Sequence, residues 1–164
     1  SSTMWKYAMA WVVLSGAAQA ADCSGASLRF VESAPRDRFE LTVGTRDLRA
    51  VTLDLRGSAG RLIFDTAAGG TGVEVFQPLR DEGGADAGDV ADGAQVITVG
   101  LRDARAGGKA AFSIDVDDRL DASDLGQIRV TGGEMAGATA MFETAGGEVF
   151  TAVFDAKNRA QVCP

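Results

Sequence analysis

Apolar and polar positions alternate with a period of two along most of this chain, and the alternation restarts after nearly every glycine-rich break. Phe39, Leu41 and Val43 alternate with Glu40 and Thr42; Val51, Leu53 and Leu55 alternate with Thr52, Asp54 and Arg56; Ala110, Phe112, Ile114 and Val116 alternate with Ala111, Ser113 and Asp115. Each run predicts a strand with one buried face. Shorter β-like runs cover 28–31, 62–64, 73–76, 96–101, 127–130, 139–142 and 149–154, giving about ten predicted strands. Glycine pairs at 69–70, 83–84, 107–108, 132–133 and 146–147 fall between or beside the runs and predict turns.

No window beyond residue 20 shows an amphipathic helix of three turns, so alternating βαβ units are not expected. The pattern predicts an all-β domain, an antiparallel β-sandwich of immunoglobulin-like or jelly-roll type. The stretch 81–93 is dense in Gly, Ala and Asp without an apolar period, and is expected to be a long mobile loop joining two halves of the sandwich.

The first twenty residues differ from the rest. Lys6 precedes the apolar run 7–14, and Ala18-Gln19-Ala20 follows as a small-x-small site, the layout of a signal peptide. Eight apolar residues are too few to cross a bilayer, which needs about 20, so no membrane anchor is expected after cleavage. Residues 1–3, ahead of Met4, fit no targeting logic and read as an over-extended start or a cloning remnant. The expected organisation is a signal peptide over 1–20 and a single domain over 21–164, exported to the periplasm or the exterior.

Removing residues 1–20 takes away one lysine and no acid, leaving 15 basic against 23 acidic side chains and a net charge of −8. With no basic stripe visible along the sequence, nucleic acid and anionic lipid are not expected partners. Cys23 and Cys163 lie near the two ends of the mature part, and in an oxidising compartment the natural reading is one disulfide. Two unpaired thiols are the alternative. A lipid-modified cysteine is disfavoured by Asp22, where a small neutral residue is wanted.

Catalytic patterns find little support. The chain has no histidine, which removes a Ser-His-Asp triad, a Cys-His pair and imidazole metal sites. Two cysteines cannot complete a structural zinc site. No glycine pair leads into a Lys-Ser/Thr step of phosphate-loop type. A carboxylate pair could be drawn from any two of 23 acids and so means nothing by itself. A non-enzymatic module is expected.

One segment carries concentrated chemistry, the run from Asp115 to Asp124. Asp115 and Asp117 lie two apart and project from one face of a strand, and Asp118, Asp121 and Asp124 follow as the chain turns away. Converging carboxylates at a strand end suit a hard cation, calcium above all. Asp65, after Leu62-Ile63-Phe64, and Glu74 are further candidate ligands. The run is not an EF-hand, because Arg119 replaces an oxygen ligand and the Gly and closing Glu are missing. Two readings stay open here: a cation site, and a solvated acidic turn that protects a sheet edge.

The segments 29–39 (RFVESAPRDRF), 53–65 (LDLRGSAGRLIFD), 72–78 (GVEVFQP) and 112–118 (FSIDVDD) resemble secreted bacterial aggregation factor core proteins, named after the core protein of sponge cell-aggregation complexes. The resemblance spans about residues 28–155 and implies a secreted, non-enzymatic β domain with calcium-dependent adhesion, through self-association or contact with a cell-surface glycan or protein. The other functional class in view is a soluble periplasmic binding module for a small or polymeric ligand. Sugar recognition by ring stacking is weakened, because both tryptophans and the only tyrosine fall within residues 1–20.

Overall fold

The computed structural model describes residues 23–32, 37–67, 78–118 and 132–163. They form eleven strands: β1 (Ser27–Val31), β2 (Arg38–Thr42), β3 (Leu48–Asp54), β4 (Leu62–Phe64), β5 (Arg80–Gly83), β6 (Val96–Ala104), β7 (Lys109–Ser113), β8 (Val116–Asp118), β9 (Thr139–Thr144), β10 (Val149–Val153) and β11 (Arg159–Gln161). The one helix among the described residues, α1 (Gly132–Met135), is a single turn.

The strands build a five-stranded sheet in the order β11-β1-β2-β7-β5 and a four-stranded sheet in the order β10-β9-β3-β6, with β4 and β8 as a separate pair. Every pairing is antiparallel. The expected antiparallel β-sandwich is therefore what the chain forms.

Alternation and register together make the core. Phe30, Phe39 and Phe112 stand directly opposite one another on β1, β2 and β7. All three are buried, with ring centroids 5.3 and 5.2 Å apart along the row. Such ring pairs add about 0.5–1.5 kcal/mol each beyond the area they bury. The facing sheet answers with Val51 between Val99 and Phe142, and Leu53 between Ile97 and Ala140, again in register and buried.

The chain changes sheets at tight turns. Between β2 and β3, Gly44 has φ +84°, and a Cβ there would meet the Ser24 carbonyl oxygen at 2.3 Å. Only glycine satisfies both conditions. The same end of the sandwich holds the Cys23–Cys163 disulfide, with Cα atoms 5.5 Å apart across 140 residues of sequence. Among the described residues, no helix is long and apolar enough to cross a membrane. Residues 1–20, with the expected signal peptide, lie outside the described residues, as do the strands expected over 73–76 and 127–130.

Three expectations need correction. The stretch 81–93 is not wholly loop. Asp81 and Glu82 belong to β5, an edge strand that pairs with β7, and Ala85 bridges Leu101. Charge replaces apolar periodicity here: Asp81 Oδ1 accepts from the Gly83 and Ala85 amides, while the Arg102 guanidinium pairs with Asp81 and, at 2.8 Å, with Asp86. Arg102 and those amides hold the Asp81 carboxyl down at about 2. Gly132 and Gly133 open α1 rather than a reversal. Finally, the strand expected from 110 to 116 breaks after Ser113, with consequences for the site below.

Two measurements check this account. Cys163→Ser, which frees a chain closed over nearly its whole length, should lower the unfolding free energy by about 2–5 kcal/mol in a denaturant titration. Phe112→Ala, in the centre of the aromatic row, should cost about 3–5 kcal/mol in the same assay.

A buried carboxylate cluster as candidate metal centre

The break after Ser113 has a local cause in Asp37, the residue before β2. Its carbonyl accepts from the Ile114 amide at 3.1 Å and its Oδ2 from the Val116 amide at 3.1 Å. One aspartate thus takes the amides on either side of Asp115, and the chain leaves β2 to pair with β4 instead. In that pairing Leu62 faces Asp118, Ile63 faces Asp117 and Phe64 faces Val116. The Asp65 amide then donates to the Asp115 carbonyl at 3.0 Å, extending the ladder by a step.

Strand geometry does the rest. Leu62, Phe64 and Val116 point into the main core, and Asp65, Asp115 and Asp117 share the opposite face with Ile63. Each of the three aspartates offers an oxygen within 4.8 Å of the others, and all three are buried, at 2%, 8% and 3% exposure. A solvated turn is therefore not the environment of Asp115 and Asp117. Asp118 belongs to β8 through its backbone, whereas Asp121, Asp124 and Glu74 lie outside the described residues. Of the five ligands expected from the acidic run, the fold brings Asp115 and Asp117 together. It adds Asp65, which sequence offered only as an extra.

On the far side of β4, Gly93 donates to the Phe64 carbonyl and Phe64 to that of Ala94. This brings up Asp92, whose Oδ1 accepts from the Thr66 and Ala67 amides at 2.9 and 3.2 Å. Asp92 and Asp37, both missed in the sequence, flank the cluster. No local pattern in the sequence marks either of them.

The electrostatics are one-sided. Burial pushes the Asp115 carboxyl up to about 8, with further contributions from the charges of Asp37, Asp117 and Asp65. Burial likewise raises Asp65 to about 6, helped by Asp92 and Asp117. Among the described residues, the charged groups that raise these two are carboxylates. Asp65 Oδ1 and Asp115 Oδ2 are moreover buried without a hydrogen-bond partner, an arrangement that costs roughly 1–3 kcal/mol per orphaned group.

A divalent cation fits this set. Three carboxylate oxygens within 4.8 Å of one another can converge on a single hard ion, and calcium, which takes about six to eight oxygens in flexible geometry, leaves room for backbone carbonyls and water beside them. Comparison of the chain with family models, with curated proteins and with solved structures finds no match.

The shifts fix the pH response of the metal-free protein. Both groups titrate higher in the fold, at about 6 and about 8, than in the unfolded chain, near ~3.9. The folded state therefore holds more protons across that interval, and stability falls as pH rises. The expected slope is about 1.4 kcal/mol per pH unit for each group still protonated in the fold, both between pH 4 and 6 and Asp115 alone up to pH 8. Urea unfolding in metal-free buffers from pH 4.5 to 8.5 measures it. A flat profile would contradict the burial of these carboxyls.

Proposed function

We propose that this protein is an exported, non-enzymatic β-sandwich module that holds a calcium ion between Asp65, Asp115 and Asp117 and serves in adhesion or aggregation at a cell surface or matrix. The observation that carries the cation reading is the buried triad itself, three carboxylates with two oxygens left unpartnered and, among the described residues, carboxylates as the charges that raise Asp65 and Asp115. Three buried negative charges repel one another, and a divalent ion turns that cost into binding energy.

The ion's role is structural. Asp37 and Asp92 brace the ligands from neighbouring loops, so a bound cation ties β4, β8, the approach to β2 and the loop before β6 into one unit. Neither the groove beside Arg29 nor the one beside Asp86 is lined by the triad, and a buried polar cluster outside both suits structure better than turnover. Export is supported by the disulfide and by the n-region and h-region pattern. Adhesion is supported by the resemblance to aggregation factor core proteins.

Thermal unfolding in calcium, in magnesium and in chelator tests the cation reading. Calcium at a hundred times its Kd should stabilise the fold by about 2.7 kcal/mol, a rise of several degrees in Tm. Asp65→Asn, Asp115→Asn and Asp117→Asn should each abolish the calcium increment while leaving the metal-free protein as stable as before or more so, since each removes a buried charge. Superimposed curves in all three buffers would reject the cation. Adhesion is read separately, by calcium-dependent clustering of protein-coated beads. Beads that stay dispersed in saturating calcium would remove adhesion and leave the ion site standing.

A further inference from the structure

The sequence shows no basic stripe, yet the fold makes a basic face. Arg29 on β1, Arg38 on β2, Lys109 on β7 and Arg159 on β11 all point outward from the five-stranded sheet, because their neighbours Leu28, Phe39, Ala110 and Ala160 point inward. The four line a groove of about 370 Å³ together with Glu40 and Glu82. Four positive charges against two negative make this face locally cationic on a chain whose formal charge is −7.

The register sharpens the point. Arg29 lies directly opposite Arg159 on one side and Glu40 on the other, and like charges facing across a ladder destabilise it. The two acids do not resolve the pairing. Glu40 bonds the Arg38 Nε at 3.3 Å and stands 3.9 Å from Arg29, while Glu82 lies 3.8 Å from Arg38 and accepts from the Ser113 hydroxyl at 2.8 Å. Both lean toward Arg38. The Asp155 carboxylate accepts from the Arg159 backbone amide at 3.2 Å, and among the described residues neither Arg159 nor Lys109 enters a side-chain ion pair. Lys109 sits two strands from Arg29, about 10 Å across the sheet.

We propose that this outer face binds an acidic polysaccharide, with one carboxylate or sulfate group held between Arg29 and Arg159 and another reached by Lys109. Arginine's planar fork pairs such oxyanions in bidentate fashion. Ser27 and Thr42, which line the floor between the charges, supply hydroxyls for a hydrated, hydroxyl-rich chain. A second copy of the protein suits the face less, since a stable interface needs an exposed apolar or aromatic centre, and the groove's apolar lining, Leu41, Ala110 and Ala111, is buried. Nucleic acid suits it less too, with no aromatic ring for bases to stack on and a strongly acidic remainder.

The test is isothermal titration of the disulfide-bonded chain with a sulfated probe, heparin fragments, a carboxylated one, oligogalacturonate, and neutral dextran, at low salt. Binding of at least one acidic probe and not of dextran is expected, weakening steeply with salt. Arg29→Gln with Arg159→Gln should lower that affinity at least tenfold. Both side chains are exposed, so a melting point for the variant no lower than the parent's will show that the fold is intact. Lys109→Gln provides a second, milder loss. The proposal is overturned if neither acidic probe binds, if the double variant binds as tightly as the parent, or if duplex DNA binds equally well. It is also overturned if sedimentation shows this face holding a second copy, with the dimer lost in the double variant. The groove shares no residue with the carboxylate cluster, so absence of a calcium effect in the melting curves would leave polyanion binding untouched.

Discussion

Burial of the inward faces of two antiparallel sheets is the constraint on which everything else in this molecule rests. The row Phe30–Phe39–Phe112 and the facing Val51, Leu53 and Phe142 fill the space between the sheets. Because the side-chain period of a strand is two, fixing those residues inside fixes every alternate residue outside. The basic outer face follows from that choice. A slip of one residue in β1 would bury Arg29 and expose Leu28 and Phe30, at a cost no local contact could offset.

The carboxylate cluster is the exception that the same constraint creates. Where β7 ends, Asp37 diverts the chain onto β4, and the new pairing has its apolar residues on the core side. Asp65, Asp115 and Asp117 are left on the other face yet still buried. Natural chains keep buried polar groups paired, so an orphaned Asp65 Oδ1 and Asp115 Oδ2 mark either a proton or a cation as part of the native state. A proton satisfies the metal-free fold at low pH, and near neutrality the cation proposed above would take its place.

The two ends of the sandwich are thus held by different means. At one, a covalent bridge joins Cys23 to Cys163 beside the Gly44 turn. At the other stands the buried carboxylate cluster of Asp65, Asp115 and Asp117. With no tyrosine or tryptophan beyond residue 20, the core takes its rings from phenylalanine alone and fills the remaining space with leucine, isoleucine, valine and alanine.

The division between sequence and tertiary structure follows from range. Alternation is a local property, so strands such as Phe39–Val43 and Val51–Leu55, the all-β class and the partnership of two cysteines near the ends were legible from the residues alone. The acidic run was legible as a concentration of charge, which is how Asp115 and Asp117 came into view. What could not be read is anything set by pairing between distant strands. Asp65 stands fifty residues from Asp115, and only the β4–β8 ladder makes them neighbours. Asp37 and Asp92 enter through loops whose positions no local pattern encodes. The strand at 80–83 is ordered by ion pairs to Arg102 and not by hydrophobic period, so it read as loop. The basic face is assembled from four strands, one residue each, and a sequence scan for clustered charge passes over it. Local chemistry determined what each segment is; cross-strand register, a non-local quantity, decided which charges meet.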